Sequence, residues 1–416
     1  MSATAAPSAP ADRYAAFRHS AFTRYWIQRL LNTLAVQIVS VAVGWQIYDL
    51  TRDPFDLGLI GLTQFLPALA LVLFTGAAAD MFGRRMVMGI SQLVELVCTA
   101  ALFFLTMRGL NSPAPVFELL IGLGIARAFV GPASASLIVN LVPQKDFANA
   151  ISWATTCWQI GSLTGPVAGG LLYGISPEAA YGAAAALLAI AAAFTFAIPK
   201  PAERPRIGGG ALDNILGGFR YIWGEKIVFG AISLDMFAVL LGGAVALLPV
   251  FARDILEVGP WGLGLLRSAP GIGAILAAIW LSGHPIKDHA GMLMFGGVAF
   301  FGAFTAMFGV SNAAWLSILA LALVGAADMV SVYVREILIQ LWTPDEVRGR
   351  VNAVNGVFIG ASNELGEFRA GMMASWIGPV PAVVFGGIGS IAVAAVWAWR
   401  FPALRKTRSL DKAAVL

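Results

Sequence analysis

The residues of this chain best suited to chemistry are charged residues placed where charge is expensive. Arg127 lies about ten residues into a long apolar run, which at about 1.5 Å of helical rise per residue puts it near the middle of a membrane span. Glu95, Asp235, Asp328, Glu364 and Glu367 lie inside other apolar runs. An ionisable group in such a place persists when it faces a partner, water or a transport path. A carboxyl group with little water around it can take up and release protons near neutral pH, which suits coupling a proton flux to another movement. Glu95 shares a helical face with Gln92 and Thr99 and also suits a polar cluster between helices; Glu367 could bridge to Arg267. Arg29, Asn32, Thr33, Gln37, Ser40 and Gly44 share roughly one helical face, a polar stripe fit to line a substrate path. Trp45, Trp153 and Trp158 could stack on a flat amphipathic molecule.

Other chemistries lack their residues. No lysine follows a glycine, so there is no P-loop and no built-in ATPase. His284 and His289 are set in a short loop with Asp288 as the one adjacent carboxylate and no cysteine, which reads as solvated loop chemistry, and no metal is expected. Cys98 and Cys157 sit within apolar runs, which implies no disulfide framework. Neither a nucleophile elbow nor a paired ligand motif is present, so the reading is not an enzyme and needs no cofactor.

The elements that must hold these residues are membrane helices. Of 416 residues, 58% are hydrophobic and only 12% charged, against about 25% charged in a soluble domain. The mean hydropathy of +0.79 makes lipid the solvent for most of the chain. Twelve runs are long and apolar enough to span: 21–49, 55–79, 86–107, 115–142, 148–174, 177–198, 227–251, 260–282, 290–310, 313–341, 352–377 and 380–401. With both termini inside, seventeen Lys and Arg fall in inner segments, and only Arg52, Arg108 and Arg253 in outer loops. The expectation is a multi-pass plasma (inner) membrane protein with both termini cytoplasmic. The pI of about 9.2 then reports topology, and a nucleic-acid partner is not needed to explain it. The expected organisation is a disordered tail (1–20), a six-helix bundle (21–198), a linker (199–226), a second six-helix bundle (227–401) and a basic tail (402–416). Within the linker, Leu212, Ile215, Leu216, Phe219, Ile222 and Trp223 recur at helical spacing, as in an amphipathic interfacial helix.

The halves repeat one another. Pro54-Phe-Asp-Leu-Gly-Leu59 matches Pro260-Trp-Gly-Leu-Gly-Leu265, and Asn149-Ala-Ile matches Asn352-Ala-Val, at offsets of 206 and 203. Arg127 stands sixteen residues before Pro143, as Asp328 does before Pro344, which suggests that the two face one another across a pseudo-twofold axis. Two parallel six-span units are the plan of a major facilitator transporter.

Three strings carry a resemblance to the major facilitator superfamily. Gly76-Ala-Ala-Ala-Asp80-Met-Phe-Gly83-Arg84-Arg85 resembles its loop motif, with Met81 where a basic residue is usual. The resemblance implies a cytoplasmic latch carried by Gly76, Asp80, Gly83, Arg84 and Arg85. Gly161-Ser-Leu-Thr-Gly165-Pro166-Val-Ala-Gly169-Gly170 resembles its antiporter motif, although Ser152 replaces an upstream glycine. The same glycines also suit close packing alone. Arg127-Ala-Phe-Val-Gly131 is similar to an element of drug/proton antiporters, with Val130 in place of the usual glutamine. Thr343-Pro-Asp-Glu-Val-Arg-Gly-Arg-Val-Asn-Ala353, read as the loop before the eleventh span, and Phe22-Thr-Arg-Tyr-Trp26 resemble the bacterial drug and siderophore proton-antiporter branch.

That resemblance implies an all-α membrane protein of two pseudo-symmetric bundles whose first, fourth, seventh and tenth spans line the cavity. It favours Asp235 and Asp328, with Arg127 and Glu95, for proton coupling, and Arg29, Asn32, Gln37 and Trp158 for the substrate path. The implied function is proton-driven efflux of a small amphipathic molecule by a monomer, with membrane lipids and protons as its other partners. The alternatives are a facilitator or symporter for a polar nutrient or metabolite, and a non-transporting membrane sensor or scaffold.

Overall fold

A computed structural model describes residues 12–200, 211–286 and 288–407, without the side chains of 72, 73, 76, 77, 79, 80 and 211–216. The expected tail residues 1–11 and 408–416 and linker residues 201–210 lie outside the described residues; of Gly76 and Asp80 in the loop motif, and of Leu212, Ile215 and Leu216 in the linker, only the backbone is described.

The apolar runs become helices with nearly the expected limits. The first six are α1 (Ser20–Thr51), α2 (Pro54–Phe82), α3 (Arg84–Met107), α4 (Ala114–Leu137), α5 (Phe147–Ile175) and α6 (Pro177–Ala197). The linker helix is α7 (Ala211–Gly224). The seventh span is α8 (Lys226–Gly242), which stops at Gly243 and resumes through a 3-10 turn, the single-turn α9 (Leu248–Val250) and a π turn over Phe251–Ile255. Then follow α10 (Gly259–Gly283), α11 (Ala290–Val310), α12 (Ala314–Trp342), α13 (Asp345–Ile377), α14 (Pro379–Arg400) and the short α15 (Pro402–Lys406).

Among the described residues, ten helical segments are long and apolar enough to cross a membrane. The two expected spans outside that set are α5 and α13, at 29 and 33 residues. Both are long enough; polar residues lower their apolarity, above all Asn355, Asn363, Glu364, Glu367 and Arg369 in α13. Two boundaries differ from expectation. The stretch from Asp345 onward is the start of α13 and not a loop: Pro344 precedes it, and Asp345 and Glu346 in its first turn favour the positive end of the helix dipole. The seventh span is broken because consecutive glycines at 242 and 243 weaken the ladder and Pro249 offers no donor.

Helices of the first half pack mainly on one another, with α1 against α5 and α6, and α4 against α2 and α3. In the second half α11 and α12 pack on α14 and α10, and α8 packs on α13 and α14. The halves meet along two seams, α2 against α13 and α5 against α10. Glycine makes the second seam possible: a Cβ on Gly170 would stand 2.5 Å from the Pro260 carbonyl oxygen, and one on Gly264 2.5 Å from that of Pro166.

Candidate functional site

Between the halves lies a cavity of about 270 Å³. The first half contributes Ser40 and Gly44 of α1, Gln64 and Phe65 of α2, and Arg127 of α4. The second half contributes Pro249 from the broken span, Arg267 of α10, and Glu364 and Glu367 of α13. The chamber therefore holds two arginines and two carboxylates beside apolar surface from Leu57, Ile60 and Val245. The break after α8 places Val245, Ala246 and Pro249 in the wall.

Local packing aims these side chains. Gly124 lets α4 lie directly on α2: a Cβ there would collide with the Gln64 carbonyl oxygen. Arg127, one turn further along α4, donates from Nη1 to the Gln64 side-chain oxygen. Its Nε is buried and has no partner among the described residues. The anions near Arg127 are Glu95 and Glu364. Those near Arg267 are Glu367 and Glu364. Arg267 also donates to the Ser40 hydroxyl at 2.7 Å, across the two halves.

A smaller pocket adjoins the same arginine, lined by Asn32, Thr33, Gln37, Glu95, Arg127 and Trp158. The α1 stripe thus divides between two neighbouring spaces, with Ser40 and Gly44 in one and Asn32, Thr33 and Gln37 in the other. Glu95 is buried beside Asn32, and neither of its carboxylate oxygens has a described partner within 3.5 Å. Gln92 bonds to Gln28 at 2.7 Å, to Thr195 at 2.5 Å and to Asn32 at 3.4 Å, so Asn32 stands between this polar cluster and Glu95.

Several expected site residues stand elsewhere. Arg29 lines neither space; it donates to the Tyr25 hydroxyl and to Ser134 Oγ, both at 3.0 Å. Asp235 is paired with Arg335 of α12, both buried. Asp328 is half-buried on α12 and makes no ion pair or hydrogen bond with a described residue. It does not meet Arg127. Equivalence in a repeat makes two positions symmetric, but it does not make them adjacent, and Arg127 turns toward the α2–α13 seam. Trp153 is occupied, donating to the Arg13 carbonyl at 2.9 Å and stacking on Tyr14. Trp45 lies beneath the Arg253 guanidinium, 5.7 Å from ring centroid to charge. Arg335 was not singled out by sequence reasoning, although an arginine inside an apolar run two turns after Asp328 was a readable signal.

The motif residues are placed as follows. Gly83 has φ +82° and separates α2 from α3, a backbone state that glycine adopts freely. Arg84 donates to the Ser136 carbonyl at 2.7 Å, and Arg85 to that of Ile198 at 2.6 Å, which fixes the turn against α4 and the end of α6. Gly161, Gly165 and Gly169 face α1 at Thr33, Gln37 and Ile38, whereas Gly170 faces α10. The string with Pro166 thus seats α1 on one side of α5 and the second half on the other.

The cross-half polar contacts between described residues lie at the chamber or toward the end that carries residues 51–54. Asp254 accepts from the Tyr48 hydroxyl and, at 3.2 Å, from Arg52. Asp49 pairs with Arg253. Ser268 donates to the Leu163 carbonyl at 2.8 Å.

A family model described as a transmembrane secretion effector of the major facilitator superfamily matches residues 11–415. The chain belongs to that family. It is therefore a multi-pass membrane transporter, and family and fold point away from an enzyme. The chain is similar to the enterobactin exporter of Shigella dysenteriae serotype 1 (strain Sd197), 24% identical over 383 residues, 90% of each chain. It has the same identity and coverage with the enterobactin exporter of Escherichia coli (strain UTI89 / UPEC). Among solved structures, a POT family transporter in complex with 5-aminolevulinic acid matches with TM-score 0.75 at 10% identity, covering 93% of this chain and 97% of that one. A bacterial homologue of the human lysosomal transporter Spinster, inward-facing and unoccupied, matches with TM-score 0.68 at 13% identity, covering 93% and 96%. These two likenesses concern the fold.

Proposed function

We propose that this major facilitator transporter is a proton-coupled exporter of a small, partly apolar molecule, such as a drug-like compound or siderophore, working by alternating access. The observation that carries the reading is the chamber between the halves, where Glu364 and Glu367 stand near Arg127 and Arg267. Carboxyl groups in such a site can exchange a proton for substrate as the halves rock. Similarity to enterobactin exporters supports the outward direction. With both termini cytoplasmic, the Tyr48, Asp49, Asp254 and Arg253 cluster closes the outer end. The chamber then serves the cytoplasmic side in this conformation, and the proton gradient supplies the energy. Glu364, Glu367 and Glu95 replace Asp235 as the leading coupling groups, since Asp235 is already neutralised by Arg335. Asp328 remains a coupling group of the second half, and Asn32, Gln37 and Trp158 remain on the substrate path.

The test uses inverted membrane vesicles carrying the protein, with siderophores and lipophilic cations as probes. Export appears as probe accumulation inside the vesicles that a protonophore abolishes. Accumulation of a polar nutrient that ignores the protonophore would replace this reading with a facilitator.

A further inference from the structure

Three carboxylates outside the chamber are paired with arginines. Asp235 meets Arg335, Asp49 meets Arg253, and Asp254 meets Arg52, each within ion-pair distance. The chamber is different. Arg127, Arg267, Glu364 and Glu367 line one cavity, yet no arginine there comes within 4.0 Å of a described carboxylate to form an ion pair. Arg127 is instead held by the neutral Gln64 and Arg267 by the neutral Ser40. Two guanidinium groups and two carboxyl groups thus remain apart across a space of about 270 Å³. Unscreened charges of both signs, held open by neutral partners, suit a ligand that itself carries both signs.

We infer that the chamber binds an amphoteric molecule, with an anionic group received by Arg127 and Arg267 and a cationic group received by Glu364 and Glu367. The apolar part of the ligand lies on Leu57, Phe65 and Pro249. This deepens the exporter reading and rests on its assignment of the chamber as the substrate site. A singly charged ligand leaves one pair of like charges without a counterpart in a site poor in water, so the doubly charged form is favoured.

The experiment uses the full chain in lipid nanodiscs and calorimetric binding of four probes that share one side chain. These are phenylalanine (zwitterion), phenylalanine amide (cation), N-acetylphenylalanine (anion) and N-acetylphenylalanine amide (neutral). The expected result is a Kd for the zwitterion at least tenfold below each of the other three. In Glu367→Gln the zwitterion should fall toward the affinity of the anion, and in Arg267→Gln toward that of the cation. Equal or tighter binding of any other form by the unaltered chain, or binding of none, overturns the inference. Vesicle transport separates this failure from that of the exporter reading. A zwitterion that binds but is not driven by a proton gradient removes the exporter and keeps the ligand class. A cationic amide that binds best and is exported does the reverse.

Discussion

Asp235 and Arg335 form a buried ion pair between α8 and α12, and the equivalent place in the first half is held by Arg29 and Ser134. Arg29 precedes Asp235 by 206 residues and Ser134 precedes Arg335 by 201, which are the offsets of the internal repeat. Each half therefore ties its first helix to its fourth at the same height, once by charge pairing and once by a charge-to-hydroxyl bond. Such a tie would help each half move as one unit in the alternating access proposed above.

Removing one member of the ion pair strands the other in a buried site. Asp235→Ala or Arg335→Ala is expected to cost about 3–5 kcal/mol. The double change Asp235→Leu with Arg335→Met is expected to stay within about 1–2 kcal/mol of the parent, since both charges leave together. Thermal unfolding in detergent, read as a double-mutant cycle, checks this; single changes that leave the Tm unmoved would contradict the tie.

Asp254 joins the halves by accepting from both Tyr48 and Arg52. Its partly exposed pairs are each worth about 0.2–1 kcal/mol. Asp254→Asn should therefore shift the balance toward opening at that end by about fivefold, the equivalent of about 1 kcal/mol. The readout is the labelling rate of a cysteine placed at Gly44 by an impermeant thiol reagent. Cys98 and Cys157 are buried, which keeps the background low. An unchanged labelling rate would show that this cluster does not hold the end closed.

The α5 glycines make a claim about space. A Cβ on Gly165 would stand 2.6 Å from Gln37 Cβ, whereas one on Gly174 would meet nothing within 4 Å. Gly165→Val is expected to destabilise by about 1–3 kcal/mol through overpacking. Gly174→Val on the same helix should do far less. Equal Tm losses would mean that helix propensity, and not the α1–α5 approach, governs the motif.

Asn149 and Trp153 strap the N-terminal segment to α5. Asn149 accepts from the Ala16 amide at 3.0 Å and donates to the Arg13 carbonyl at 2.9 Å, while His19 lies 3.0 Å from Asp146. Loss of two such bonds costs about 1–3 kcal/mol locally. Asn149→Ala should raise amide exchange across residues 13–19 and leave the span cores protected. Unaltered exchange would assign the docking to the Tyr14 and Phe17 rings on Trp153.

Much of the scaffold was legible because a helix that must span lipid announces itself as an apolar run. The ninth span, for example, runs Ala290–Val310 as its hydropathy requires. Where one sequence signal opposed another, reading was harder. The polar start of α13 resembled a loop, although Pro344 and the following acids formed a helix start. The chamber was legible only in part. Arg127, Asn32, Gln37 and Trp158 do line its two spaces, because their burden of polarity inside a span is visible in isolation. The partner of Arg127 was not, since the approach of α4 to α2 depends on Gly124 and on a seam that repeat symmetry does not encode. Asp235 illustrates the same limit: an intramembrane carboxylate reads alike whether it serves coupling or a salt bridge.

The central claim is that substrate and protons exchange through the chamber carboxylates. It is tested most directly in sealed proteoliposomes holding an internal pH dye. Siderophores and lipophilic cations are supplied under an imposed proton gradient to the parent chain, Glu364→Gln and Glu367→Gln. Substrate-triggered proton flux in the parent, lost in at least one variant while that variant still binds substrate, is the predicted result. Substrate movement with no proton flux, equal in all three proteins, would contradict the account.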